Sequence, residues 1–230
     1  MKLSIIVSVF NEKNTILKIL DRVEQVNLTH FKFEKEIIIV DDGSTDGTRE
    51  ILKNLEGKYK IIYQQKNQGK GKAILAGLKY ASGRYVLFQD ADLEYDPEDY
   101  KILLKCAIAN NAQVVYGSRM LNKKNKSSYV SYYYGNLLLS WFTRLLYGIK
   151  ITDMYTGYTL IETDLIKSLS LKCQRFEHSP EVTAKITKKG IKIYEVPISY
   201  YPRSREEGKK IKWLDGLQAL WVLFKYRFFN

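Results

Sequence analysis

The chain has little cysteine, little proline and almost no histidine: two Cys, four Pro and two His in 230 residues. Cys106 and Cys173 cannot build a disulfide framework, and neither stands in a metal-ligand spacing, so a reducing compartment is expected. His30 and His178 have no motif around them, which leaves no nucleophile–base pair to read. Long hydrophobic runs are missing too. The best candidate, residues 137–147, is interrupted by Arg144 and falls short of the roughly 18 apolar residues of a membrane span. The apolar start, residues 3–7, runs into Asn11-Glu12 and is too short for a signal peptide.

What is present is a core and an excess of positive charge. A hydrophobic share of 45% excludes disorder for the bulk of the chain. The length suits one substantial core, and no linker, repeat or low-complexity tract divides it, so residues 1–230 are expected to form a single domain. Lys and Arg number 37 against 25 Asp and Glu, a net charge of +12. The excess is uneven: residues 100–152 contain no acid at all.

Short apolar runs alternate with helix-period stretches. Residues 3–9, 36–40, 60–64, 85–88 and 113–116 read as strands, several of them β-branched and continuous. Residues 15–26, 46–57, 72–81 and 97–109 read as helices, the last with Pro97 in its first turn. This order predicts an α/β fold with a mainly parallel central sheet and helices on both faces. Such sheets bind ligands at the carboxyl ends of their strands.

Three acidic clusters fall at such ends. Asp90-Ala91-Asp92-Leu93-Glu94 follows the fourth strand, and its hard oxygen ligands suit Mg²⁺ or Mn²⁺ bridging a diphosphate, or else a solvated turn before Pro97. Asp41-Asp42-Gly43-Ser44-Thr45-Asp46-Gly47 can receive a nucleobase or ribose, or simply cap the next helix. Glu12, after Phe10-Asn11, adds a carboxylate at a third strand end.

With these clusters the chain resembles the family-2 glycosyltransferases of GT-A fold, which bind nucleotide sugars. The resemblance runs through Ser4 to Glu12, Val40 to Thr48, Asp90-Ala91-Asp92, Gly117-Ser118-Arg119, Asp153 to Tyr158, Glu195-Val196-Pro197-Ile198 and Pro202 to Lys210. The later motifs are most similar to dolichyl-phosphate mannose synthases and bacterial polyprenyl-phosphate glycosyltransferases. The resemblance implies that Ser8, Phe10 and Glu12 line the nucleotide, that Val40 and Asp42 contact the base, and that Ala91 lies beside the nucleotide. Asp90, Asp92 and Glu94 would form the shell of a Mg²⁺ or Mn²⁺ ion, and Arg119 would face the donor phosphates. Arg203 and Lys209 would lie over the diphosphate and the acceptor phosphate, and Asp153 beside the reacting centre. Ser8 departs from the proline usual in the mannose synthases.

The role of Asp153 depends on the acceptor. A hydroxyl acceptor calls for a base, whereas a lipid phosphate is already anionic, and Asp153 would then position Arg203, Lys209 or the sugar. Glu177 and Glu181, around His178-Ser179-Pro180, are open to sugar contact or helix capping. Gly69-Lys70-Gly71-Lys72 lacks P-loop spacing and reads as a turn into a helix, near the nucleotide. Residues 212–229 are expected to form an amphipathic helix with Trp213, Leu217, Leu220, Trp221, Phe224 and Phe228 on one face. That face, with basic residues beside it, suits an anionic membrane surface, or packing on the core or a second subunit.

The expected activity is therefore inverting, metal-dependent transfer of a sugar, mannose or glucose, from a GDP- or UDP-linked donor to a polyprenyl or dolichyl phosphate. It would take place peripherally on the cytoplasmic face of the membrane, with room for a separate membrane-protein partner. The second expectation keeps the fold and gives it a glycan hydroxyl acceptor. A nucleic-acid partner is not expected, because acidic strand ends repel a phosphate backbone and no recognition motif is present.

Overall fold

The computed structural model describes residues 1–125, 130–203 and 213–229, with the main chain alone for residues 130–132 and 213. Seven strands form one sheet in the order β3-β2-β1-β4-β6-β5-β7. They are β1 (Lys2–Val9), β2 (Glu34–Asp41), β3 (Lys60–Tyr63), β4 (Tyr85–Asp90), β5 (Val114–Ser118), β6 (Thr159–Glu162) and β7 (Tyr194–Pro197). The helices are α1 (Ile16–Gln25), α2 (Thr48–Lys53), α3 (Lys70–Leu78), α4 (Tyr100–Ala109), α5 (Val130–Tyr147), α6 (Thr163–Ser168), α7 (His178–Lys188) and α8 (Trp213–Phe228).

The period-2 geometry of β1 divides its side chains between two apolar layers. Leu3, Ile5, Val7 and Val9 join the layer under α1 and α4, where Ile16, Ile19, Leu20 and Val23 form the inner stripe of α1. Ile6 enters the opposite layer with Ala73 and Ile74 of α3, Leu139 of α5, Val182 of α7 and Leu223 of α8. Both faces of the sheet are thus covered, as a near-continuous apolar strand requires.

β6 breaks the parallel pattern expected from the sequence. It runs antiparallel between β4 and β5, with Val86 opposite Ile161 and Val114 opposite Ile161 on its other edge. A reversed strand begins where its parallel neighbours end. The Asp153–Gly157 turn that leads into β6 therefore arrives at the same rim as Asp90 from β4 and Arg119 from β5. β7 is parallel to β5, so the loop after Pro197 returns Arg203 to that rim as well.

α8 has two apolar faces rather than the one expected of it. Ala219, Leu223 and Tyr226 are buried against the core, while Leu217, Trp221, Phe224 and Phe228 are exposed. Tyr226 donates to Glu181 Oε1 at 2.7 Å, and Tyr147 of α5 donates to Leu223 O at 2.7 Å. The outer face of α5 likewise exposes Tyr134, Leu138, Trp141 and Leu145. Among the described residues no helix is long and apolar enough to cross a membrane.

Candidate active site

One cavity of about 1280 Å³ opens along the carboxyl rim. It is lined by Ser8, Phe10, Glu12, Asp42, Asp90, Ala91, Asp92, Glu94, Arg119 and Arg203. The sequence separates these residues by up to 195 positions, Ser8 to Arg203; the reversed β6 and the returning β7 bring them together. Two further expected residues stand elsewhere. The Val40 side chain is buried in the apolar layer beside α3, so it does not line the cavity. Lys209 lies outside the described residues.

The nucleotide end is a set of clamped loops. Asp42 accepts from the backbone N–H of Gln68 and of Gly69, both at 2.8 Å, which fixes the approach to α3. Burial pushes its carboxyl up, against those two hydrogen bonds. Neighbouring Asp41 is buried and paired with Arg49 at 2.7 Å. Gly43 is required here: its φ is +76°, and a Cβ would meet the backbone of Lys66 at 2.5 Å. The Asn11 side chain accepts from Thr45 N at 2.8 Å, joining the first two strand ends.

The metal end holds its carboxylates with cations. Lys70, the first residue of α3, lies 2.5 Å from Asp90 Oδ1 and 2.7 Å from Oδ2. Although Asp90 is half-buried, which works the other way, the Lys70 charge holds its carboxyl below the usual range. Arg203 reaches Glu12 and Asp92, each at 3.2 Å. Burial, with Asp90 and Glu94 nearby, nevertheless pushes Asp92 up to about 7, so this end still favours an additional cation. Asp90 and Asp92 fit a Mg²⁺ or Mn²⁺ ion, which takes one or two carboxylates and completes its shell with water and phosphate oxygens. Glu94 fits less well. Its oxygens accept from Tyr200 OH at 3.1 Å and Arg203 N at 2.9 Å, so it fastens the loop that carries Arg203. Among the described residues no group of three acidic, His or Cys side chains converges on one ion position.

Asp153 is fully buried behind the cavity wall and its partner is Arg119, not Arg203. Its Oδ2 accepts from Arg119 N at 2.9 Å and Nε at 2.7 Å; its Oδ1 accepts from Arg119 Nη2 at 2.7 Å and Asn136 Nδ2 at 2.9 Å. Two bonds on each oxygen leave no lone pair with which to take a proton. Its geometry is that of a residue that orients the guanidinium.

Glu177 and Glu181 both turn away from the cavity. Glu177 accepts from the N–H groups of Gln174 and Arg175 at 2.8 and 3.0 Å; Glu181 accepts from Lys172 N at 2.8 Å and Lys185 Nζ at 2.6 Å. The loop shaped by Glu177 supplies Arg175 O and Gln174 O to the N–H groups of Gly71 and Lys72 in α3. His178, for which the sequence offered no role, lines the cavity with Ser179. Sequence reasoning also assigned nothing to Asn136, and it missed that Lys70 would pair with Asp90. A lysine at the first position of a helix near the second acidic cluster was the only available signal.

The family model for glycosyl transferase family 2 matches residues 4–169, which span β1 to the end of α6. The chain belongs to glycosyl transferase family 2. It is 31% identical to a dolichyl-phosphate beta-glucosyltransferase of Trichomonas vaginalis, over 99% of this chain and 73% of that protein. A UDP-N-acetylglucosamine–dolichyl-phosphate N-acetylglucosaminyltransferase of Methanococcus voltae is 32% identical over 84% of this chain and 83% of its own. Glucosyl-3-phosphoglycerate synthase from Mycobacterium tuberculosis, solved with Mn²⁺, UDP and phosphoglyceric acid, superposes with a TM-score of 0.71 at 18% identity, covering 100% of this chain and 79% of that one. That likeness establishes the GT-A-type fold. As a family-2 member the protein is a glycosyltransferase, and the rim just described is its candidate active site.

Proposed function

We propose that this glycosyltransferase moves a sugar from a UDP-linked donor to a polyprenyl or dolichyl phosphate at a membrane surface, with inversion and with Mg²⁺ or Mn²⁺. The observation that carries the acceptor class is the saturated carboxylate of Asp153. A hydroxyl acceptor must lose a proton as it attacks, and the expected base has no free lone pair. A phosphate oxygen is anionic already and attacks the anomeric carbon directly, while the bond from that carbon to the diphosphate oxygen breaks. Inversion follows from a single displacement.

In this reading Asp90 and Asp92 would hold the metal, which when bound would supply positive charge against the departing diphosphate. Arg119 and Arg203 supply guanidinium donors to the phosphate oxygens, and Asp42 and Phe10 line the nucleotide end. The family resemblance supports Lys209, outside the described residues, as a further cation for the phosphates. The cavity runs on between Tyr133 and Leu139 of α5 and Leu214 of α8, beside the outward apolar faces of both helices. These faces support docking on an anionic bilayer from the cytoplasmic side, with the lipid phosphate entering between them. The relatives named for UDP-N-acetylglucosamine and for UDP support a uridine donor, and they differ in sugar.

The test is a panel of UDP- and GDP-sugars offered with a short polyprenyl phosphate in anionic vesicles, reading released nucleoside diphosphate. Release is expected only with Mg²⁺ or Mn²⁺ and the lipid phosphate. Equal turnover with a neutral glycan acceptor and none with lipid phosphate would overturn the reading.

A further inference from the structure

Arg119 is held in one pose by contacts that reach back to two residues on separate elements, Asn136 of α5 and Glu195 of β7. The guanidinium offers five N–H donors. Nε–H and one Nη2–H go to Asp153, and Nη2 also donates to Tyr155 O at 3.0 Å. Among the described residues Nη1 receives no protein partner, and Arg119 lines the cavity. The arginine thus spends Nε and Nη2 on the protein and keeps Nη1 for a ligand.

The carboxylate that fixes this edge is itself fixed from two sides. From α5, Asn136 Nδ2 donates to Asp153 Oδ1 at 2.9 Å, while Asn136 Oδ1 accepts from Tyr155 N at 3.4 Å. The same side chain therefore touches the acid and the turn beyond it. From β7, Glu195 Oε1 accepts from Asp153 N at 3.1 Å and Thr152 N at 3.0 Å; its Oε2 accepts from Thr152 N at 2.8 Å and Thr152 Oγ1 at 3.0 Å. Ser118, next to Arg119, meets Thr152 Oγ1 at 2.6 Å and closes the ring of contacts.

Glu195 is a half-buried acid spent on a turn, and Asn136 is a buried amide on a helix whose other face is apolar and exposed. Both costs are offset if the turn must be held to within a few tenths of an ångström for a bound anion. We propose that Asn136 and Glu195 are positioning residues for donor binding, setting Asp153 so that Nη1 of Arg119 meets the diphosphate. This rests on the reading of Arg119 as a donor-phosphate residue.

A double-mutant cycle on UDP binding tests it, with calorimetric titration of UDP in saturating Mn²⁺ and thermal melting of each variant alongside. Arg119→Ala is expected to weaken UDP about 30-fold. Asn136→Ala and Glu195→Gln, on separate elements, should each weaken it about five- to tenfold, raise the donor KM by a similar factor, and lower kcat less. In the Arg119→Ala background neither should add more than about twofold, because the group they aim is gone. If either single variant leaves UDP binding unchanged while Arg119→Ala weakens it, or if the effects add fully, the positioning role is overturned. If Arg119→Ala itself binds UDP normally, the donor-phosphate reading of Arg119 has failed and the relay falls with it. A drop in melting temperature without a change in UDP affinity would mark both residues as structural and overturn the role.

Discussion

The carboxyl rim of the sheet and the flank formed by α5 and α8 treat unsatisfied chemistry in opposite ways. On the rim nearly every charge has a partner within the chain: Asp41 with Arg49, Asp90 with Lys70, Asp92 with Arg203, Asp153 with Arg119. On the flank, large apolar side chains stand in solvent, among them Leu145 at 65% exposure and Trp221 at 59%. The rim is complete enough to wait for a ligand; the flank is complete only against something else. The first is therefore sensitive to single charge changes, and the second to loss of apolar area.

The sharpest way to break that contrast is at the rim. Asp92→Ala should lower sugar transfer about a thousandfold, the scale on which removal of one transition-state electrostatic group acts. Vesicle binding by the same variant should be unchanged. If sedimentation with anionic vesicles also failed, rim and flank would not be separable.

The flank contains its own internal comparison along α8. Replacing Trp221, Phe224 and Phe228 together by serine should cut vesicle partitioning about 100-fold, with UDP binding and the melting temperature nearly unchanged. Leu223→Ala, on the buried face, should instead cost about 3 kcal/mol in urea denaturation. Loss of stability in the triple variant would show that its face packs on protein.

Much of this division is legible in the sequence, and the limits are physical. Strands that are apolar throughout, such as residues 37–40, announce a sheet covered on both sides, and the acids after them announce its rim. The reversal of β6 left no such mark, because four residues, Thr159–Glu162, have the same composition in either direction. That reversal decides which partner Asp153 meets, so its pairing with Arg119 was out of reach. For α8 the apolar period gave the helix and one face of it. It did not reveal that Ala219, Leu223 and Tyr226 would form a second, buried face, since alanine and tyrosine carry little periodic signal. Glu94 shows a third limit: the sequence offers it as a metal ligand and carries no sign that its oxygens also accept from Tyr200 and the backbone of Arg203.

A pH experiment separates buried rim chemistry from the solvated surface. Burial, with some help from Lys70, pushes the His178 imidazole down to about 3 from 6.5. The unfolded chain gains this proton near pH 6.5 and the folded chain not until about 3, so the unfolded state binds more protons across that window. Stability from this group is present above pH 6.5 and is lost as pH falls through the window. Between pH 7 and 5 the loss is about 2 kcal/mol. His178→Phe, which keeps a ring against Phe88, should lose about that much less over the same interval, as followed by urea denaturation. Equal losses in both proteins would assign the acid sensitivity to the carboxylates.

The smallest expected effect probes how closed the rim is before a donor arrives. Lys70 and a divalent cation compete for Asp90, since the ammonium already lies 2.5 Å from one carboxylate oxygen. Removing it has two opposed consequences: Asp90 becomes free to bind metal, and its buried charge loses compensation and partly neutralises. Near pH 8 the second is suppressed, because even an elevated carboxyl is ionised there. Lys70→Met should then bind Mn²⁺ about fivefold tighter than the parent in the absence of nucleotide, measured by the loss of the free-ion resonance signal. With UDP present the difference should shrink or reverse, since the metal gains phosphate ligands and the diphosphate loses a nearby cation. Unchanged Mn²⁺ affinity without nucleotide would mean that Arg203, not Lys70, governs entry to the site, and the same titration on Arg203→Met would then carry the effect.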